Sequence, residues 1–241
     1  MNIIIIGYGK MGNEIEKICI EKKYNVLFKI NSKNINKLSE SLLLKCDVAI
    51  DFSNTENVIN TILLFFKNKI PVVSGSTDWL NKLNNLKNKC NEYNTAFLHS
   101  PNFSIGMNIF FQLNQILSKK MNCHEEYKVS IKETHHINKK DKPSGTAIKI
   151  ANDVISNINK INKWSFTGDS KDQIKISSHR KGNYKGEHEI NFSSNIDTIS
   201  VKHTAHSREG FARGAILAAE FIKNKKGIFT MKDVINNIKN E

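Results

Sequence analysis

Short apolar runs alternate with amphipathic stretches through the first hundred residues, a pattern that predicts parallel strands with helices on both faces of their sheet. The strands fall at 2–6, 26–30, 48–51, 71–74 and 95–99, and helices at about 11–20, 55–67 and 79–91. After Pro101 the pattern changes. A helix over about 105–119 leads to a strand over 127–134 and a glycine-led helix. Strands at 174–179, 188–192 and 198–202 then follow without intervening helices. This predicts an α+β second domain whose strands form an antiparallel sheet beside the strand before His135, with a mostly exposed face suited to joining subunits. Helices at about 209–223 and 232–239 close the chain and are expected to pack back on the first domain.

Composition narrows the class. In 241 residues, 39% apolar and 24% charged positions with only 3 Pro suit a folded globular chain of one or two associated domains. Cys19, Cys46, Cys90 and Cys123 lie far apart without a C-x-x-C pair, so neither a zinc site nor a disulfide framework is expected. The longest apolar stretch, 62–66, is far below the roughly 20 residues of a membrane span. No targeting leader is read at the amino terminus, and a soluble cytoplasmic protein with no membrane partner is expected. The net charge of +13 comes from lysines scattered through every segment, which reads mainly as compositional drift; any functional part would steer anionic substrates and phosphate-bearing cofactors. No helix-turn-helix, zinc finger or interleaved aromatic-basic strand is present, so no nucleic-acid partner is expected.

Ile3-Ile4-Ile5-Ile6 runs directly into Gly7-Tyr8-Gly9-Lys10-Met11-Gly12, placing G-x-G-x-x-G between a strand and a helix. Glycines are needed there because the turn is tight and the backbone must approach a pyrophosphate on the helix amino terminus. The first domain therefore reads as a Rossmann-type, parallel-sheet dinucleotide domain, with Gly7, Asp51, Gly75 and Ser100 at the strand ends where ligands bind. The acidic ribose ligand expected about twenty residues on is missing. Asn31 stands there, flanked by Lys29, Ser32 and Lys33, so a 2′-phosphate is tolerated and a lysine is available to pair with it. NADPH is expected to serve at least as well as NADH.

The most informative stretch is Glu133-Thr134-His135-His136-Ile137-Asn138-Lys139-Lys140-Asp141-Lys142-Pro143-Ser144-Gly145-Thr146-Ala147. Ser144 is a fitting N-cap for a helix with Ala147, Ile148, Ala151, Val154 and Ile155 at helical spacing. The free N–H groups of Gly145 and Thr146, with the Thr146 hydroxyl, make a nest for a carboxylate. Adjacent strand residues point oppositely, so His135 and His136 take different roles: a histidine delivers a proton, and Lys139 supplies charge or a second donor. Two adjacent histidines without a spaced third ligand do not build a metal site, and none is expected.

These strings, together with Asp51-Phe52-Ser53, Gly75-Ser76-Thr77, Ser100-Pro101-Asn102-Phe103-Ser104-Ile105-Gly106, Arg180, Gly186-Glu187-His188 and His203-x-Ala205-x-Ser207-Arg208-x-x-Phe211-Ala212-x-Gly214-Ala215, resemble the 4-hydroxy-tetrahydrodipicolinate reductase family. The likeness covers nearly the whole chain in order. It implies reduction of 4-hydroxy-tetrahydrodipicolinate, a small dicarboxylate, to tetrahydrodipicolinate with NADH or NADPH and loss of water, in lysine and diaminopimelate biosynthesis. It implies His135 as general acid/base, Lys139 as second catalytic donor, and His136, Ser144, Gly145 and Thr146 as substrate ligands. Cofactor contacts fall to Gly7, Tyr8, Gly9, Lys10, Met11, Gly12 and Asn31, with Gly75, Ser76, Thr77, Ser100, Pro101, Asn102 and Phe103 on the nicotinamide side. It also implies a homotetramer built by the second domain's sheet, with domain closure over bound ligands. The resulting division is a dinucleotide domain of 1–103 with 209–241, and an α+β substrate and tetramerisation domain of 104–208 with a mixed or antiparallel sheet. Asn31 and a short segment around 157–171 depart from the family pattern.

Some residues read more plainly. Trp79 and Trp164 suit packing, His99 and His124 look incidental, and the roles of Asp51 and Arg208 stay open. Two other functions compete: a dinucleotide-binding regulator whose charge serves a nucleic-acid backbone, and another two-domain reductase such as a semialdehyde or homoserine dehydrogenase. Thioester chemistry in the latter needs an active-site cysteine, and no cysteine stands at a convincing helix start.

Overall fold

The computed structural model describes residues 1–31, 33–53, 58–77 and 79–238. Its chain forms two compact units, Met1–Ile105 with Arg208–Glu241, and Gly106–Ser207.

In the first unit, strands β1 (Asn2–Ile6), β2 (Asn25–Ile30), β3 (Val48–Asp51), β4 (Val72–Ser74), β5 (Ala96–His99) and β11 (Gly227–Phe229) form one parallel sheet, in the order β11-β5-β4-β3-β1-β2. Such a sheet buries both faces, which is why β1 is an unbroken run of isoleucines. Alternation sends Ile3 and Ile5 into a core shared with helices α1 (Lys10–Glu21), α7 (Glu209–Ile222) and α8 (Met231–Asn236). Ile4 and Ile6 enter the opposite core with α2 (Glu40–Leu43), α3 (Val58–Lys67) and α4 (Leu83–Glu92). The first turn of the helix expected at 79–91 is a 3-10 turn, Leu80–Lys82. The expected helix start at Thr55 and end at Lys239 lie outside the described residues.

The second unit carries α5 (Ile105–Met121), β6 (Lys128–His135), α6 (Gly145–Ile155), β7 (Lys163–Ser165), β8 (Gln173–Arg180), β9 (Glu187–Ser193) and β10 (Thr198–Thr204). Its sheet runs β10-β9-β6-β8-β7. Of the two arrangements expected, mixed or antiparallel, the sheet is mixed: β9 pairs antiparallel with β6 and β10, whereas β8 pairs parallel with β6 and β7. The reason is the connection between β6 and β8, which passes through α6 and so returns the chain in the same direction. One face of this sheet is apolar. Val129, Ile131, Ile174, Ile176, Ile190 and Phe192 pack there with Met107, Phe110 and Phe111 of α5 and with Ala147, Ile150, Ala151 and Val154 of α6.

Among the described residues no helix is long and apolar enough to cross a membrane. All four cysteines are free thiols.

Candidate active site

In the first unit the strand–helix turn after β1 is the centre of construction. Gly7 has φ of 87°, donates its N–H to the Ile30 carbonyl at 2.9 Å, and lies so near the next turn that a Cβ would meet Phe52 and Ser53 backbone at 2.6 Å. Gly12 closes the motif from inside, since a Cβ there would meet the Gly7 carbonyl oxygen at 2.5 Å. Gly9 is the N-cap of α1 and offers no side-chain cap, leaving first-turn N–H groups for an anion. A cavity of about 540 Å³ opens here, lined by Gly7, Tyr8, Gly9, Lys10, Met11, Asn31, Gly75, Ser76 and Thr77, and also by Phe52 and Ser53. Uncapped N–H groups and a backbone approach that excludes Cβ fit a pyrophosphate.

Five of the expected cofactor residues do not line this cavity: Gly12, Ser100, Pro101, Asn102 and Phe103. Phe103 is a packing residue, buried in the first unit's core with its ring 5.5 Å from that of Phe52, edge to face. Ser100 and Asn102 bond one another and Ser104, shaping their own turn.

Asp51, fully buried at the end of β3, ties the cavity's turns together. Its Oδ1 accepts the Ser53 N–H at 2.9 Å and hydroxyl at 2.7 Å, and its Oδ2 faces the hydroxyls of Ser74 at 2.6 Å and Ser76 at 2.7 Å. Burial raises its carboxyl pKa, and these four donors pull it back. Asp51→Ala leaves buried hydroxyls without their acceptor, and is expected to cost about 2–4 kcal/mol in denaturant unfolding and to weaken dinucleotide binding. Unchanged stability would show the hub to be idle. His99 is not incidental: its Nε2 lies 3.0 Å from the Ser76 carbonyl oxygen and its ring packs on Trp79.

Of the two lysines flanking Asn31, Lys29 is already paired. Its Nζ is 2.9 Å from Glu16 Oε1 and 4.6 Å from the centroid of Tyr8, whose hydroxyl also donates to Glu16. Lys29 is partly exposed in this pairing, and Lys33 is exposed. Asn31 is likewise engaged, its Oδ1 accepting the Lys33 N–H at 2.9 Å.

In the second unit, the core face of the sheet turns polar at one end. His135 is the last residue of β6 and is buried. Its Nδ1 stands 3.1 Å from Oε2 of Glu133, two residues back on the same face. Glu133 Oε1 accepts the Ser144 N–H at 3.1 Å and faces Arg180 at 3.2 Å, while Oε2 lies 3.8 Å from His188 Nε2. Burial alone would raise the Glu133 carboxyl, but His135, Ser144 and Ser178 outweigh it and hold it well below the ordinary range. Burial and the neighbouring His135 push His188 down to about 3, so it is neutral near pH 7.

Ser144 caps α6 as expected, its hydroxyl accepting the Ala147 N–H at 3.2 Å. Gly145 has open space where a Cβ would be, and both Gly145 and Thr146 stand in the first turn, where N–H groups lack helical partners. Lys139 pairs with Asp141 at 2.8 Å, and Arg180 donates to the carbonyls of Lys139 and Asp141. Arg180 and Glu133 thereby join the Lys139 loop, His135 and the start of α6 in one network. His136 follows, half-buried, just beyond β6.

Among the described residues, Glu133, His135 and His188 bring possible metal-ligand atoms within 4.8 Å of one another. The Arg180 guanidinium already sits on that carboxylate, which disfavours a dication there. The sequence signal for Glu133 was present but faint: a glutamate in phase with Val129 and Ile131, on the apolar side of the strand.

Comparison with known proteins supplies the family context. The family description "Dihydrodipicolinate reductase, N-terminus" matches residues 1–103, and "Dihydrodipicolinate reductase, C-terminus" matches 106–235. A 4-hydroxy-tetrahydrodipicolinate reductase of Christiangramia forsetii is 42% identical over 238 residues, covering 99% of each chain. One from Buchnera aphidicola subsp. Cinara cedri is 33% identical over 259 aligned positions, covering 98% of this chain and 89% of that one. The dipicolinate-bound dihydrodipicolinate reductase of Paenisporosarcina sp. TG-14 has a TM-score of 0.75 at 22% identity, covering 95% of this chain and 97% of that one, a likeness of fold.

Proposed function

Because the chain belongs to the dihydrodipicolinate reductase family, we infer that the two arrays just described are its cofactor cradle and its substrate site. The protein is an NAD(P)H-dependent oxidoreductase that reduces 4-hydroxy-tetrahydrodipicolinate to tetrahydrodipicolinate with loss of water, in lysine and diaminopimelate biosynthesis. This replaces the regulator and the semialdehyde or homoserine dehydrogenase readings.

The first unit is the dinucleotide domain and the second binds substrate. NAD(P)H, held by the first unit, would supply a hydride to one carbon of the conjugated imine that forms when the 4-hydroxyl leaves as water. In this reading His135 delivers a proton to the other carbon, and the ammonium of Lys139 is the second donor. The substrate's carboxylates take the N–H groups of Gly145 and Thr146 with the Thr146 hydroxyl, assisted by His136 and Ser144. The observation that carries this assignment is that Glu133 contacts His135 and the first turn of α6 together, at 3.1 Å each, so proton donor and anion nest share one anchor. Thr146→Val removes a donor to a carboxylate while sparing His135, and is expected to raise the substrate KM about tenfold with kcat within about twofold of wild type. A lowered kcat at unchanged KM would remove Thr146 from the binding nest.

NADPH serves at least as well as NADH, on the grounds that no acid stands at Asn31 and Lys33 is exposed beside it. The assembly is a cytoplasmic homotetramer joined by the second unit's sheet. The face of that sheet opposite α5 and α6, left uncovered by the described residues of this unit, supports that assembly.

A further inference from the structure

We propose that Glu133 is a positioning residue that fixes the ring of His135 through Nδ1 and the amino terminus of α6 through the Ser144 N–H, so that proton delivery and carboxylate capture stay in register. The proposal rests on the assignment of His135 and α6 given above, and it concerns a residue that touches no substrate in that assignment.

Strand pairing makes the arrangement. In the β6–β9 pair Glu133 stands opposite His188, and in the β6–β8 pair it stands opposite Ser178, while His135 stands opposite Arg180. All five side chains therefore cap the apolar face of one sheet, beyond Val129, Ile131, Ile174, Ile176 and Ile190. A carboxylate with no exposed surface is costly to bury, and an apolar side chain of like volume often packs such a site equally well. Its two oxygens are instead divided between two tasks. Oε1 takes the backbone of the helix start and Arg180; Oε2 faces His135 and His188.

The ring orientation follows. A carboxylate beside Nδ1 favours the tautomer with the proton on Nδ1, which leaves Nε2 to gain and give the proton that moves. On the Nε2 side stands Gly186, with φ of 149°; a Cβ there would come to 3.3 Å from Nε2, so its absence keeps that nitrogen uncrowded. The charged and titratable groups around the ring are Glu133 on β6, Arg180 on β8, neutral His188 on β9, His203 on β10 beyond it, and Lys139 in the following loop. Glu133 is the anion among them, with Oε2 3.1 Å from Nδ1. Its negative charge steadies the ring while that ring carries the transferred proton, and a neutral glutamine in its place does not.

The test is the pH dependence of kcat for wild type, Glu133→Gln and His135→Gln, with binding of dipicolinate as a dicarboxylate probe. In Glu133→Gln, kcat is expected to fall about 10–100-fold and its alkaline limb to move down by about one pH unit or more. Dipicolinate is expected to bind roughly tenfold more weakly, with NADPH binding unchanged. A merely structural role would reduce the yield of folded enzyme without moving the limb. If the limb disappears in His135→Gln but stays in place in Glu133→Gln, the proposal for Glu133 is overturned while the His135 assignment stands. If the limb survives in His135→Gln, the assignment itself fails. Nitrogen NMR of wild-type enzyme with labelled histidine needs no variant: neutral His135 is expected to carry its proton on Nδ1, and a proton on Nε2 instead overturns the proposal even if Glu133→Gln does not fold.

Discussion

His135→Gln is expected to lower kcat by about 10²-fold or more while leaving NADPH binding near its wild-type level. Glutamine keeps a polar side chain against Glu133 and His188, so the buried cluster retains a hydrogen-bonding occupant, but it has no group that gains and loses a proton near neutral pH. The loss falls in kcat because proton delivery matters most in the transition state. The dinucleotide cradle belongs to the first unit and His135 to the second, so the cofactor's dissociation constant provides an internal control. A wild-type rate in this variant overturns the role given to His135.

Gly7→Ala is expected to be the most damaging single change in the cofactor cradle. Gly7 combines a φ of 87° with backbone neighbours at 2.6 Å from where a Cβ would be, and those neighbours belong to the Phe52–Ser53 turn rather than to a side chain that can swing away. Left-handed strain and the collision together should cost about 3 kcal/mol or more, a fall in Tm of roughly 10 °C for a chain of this size. Dinucleotide affinity should fall with it, because the displaced turn carries Ser53, one of Asp51's partners. Gly9→Ala is the contrast, since nothing lies within 4 Å of its Cβ position. Thermal melts and cofactor titrations of the two variants read the difference; a wild-type Tm and affinity in Gly7→Ala would show that the approach is not required.

Much of this protein is written locally. The isoleucine run, the glycine loop and the Ser144 cap each combine a spacing with a nearby breaker, so strands, helices and the two candidate sites emerge from short windows. What the sequence does not display depends on partners far along the chain. Glu133 meets Ser178 and His188 only through strand register, and a residue-by-residue reading of the His-His-x-x-Lys string passes over it. The short elements α2, β7 and β11 span too few residues for a period to appear. Phe103 and Lys29 show what pairing adds to a motif. Phe103 sits in a recognisable string and its side chain packs into the core, and Lys29 flanks the Asn31 position and pairs with Glu16 of α1. Proximity in sequence identified the neighbourhood, and the side-chain pairing is visible only in the fold.

The most direct test of the account is turnover itself. Fresh aspartate semialdehyde and pyruvate, condensed by a synthase in the same cuvette, provide the substrate, and oxidation of NADPH and of NADH is followed separately by absorbance. Turnover is expected with both, with a kcat/KM for NADPH at least equal to that for NADH. Folded enzyme that binds a dinucleotide but oxidises neither would contradict it.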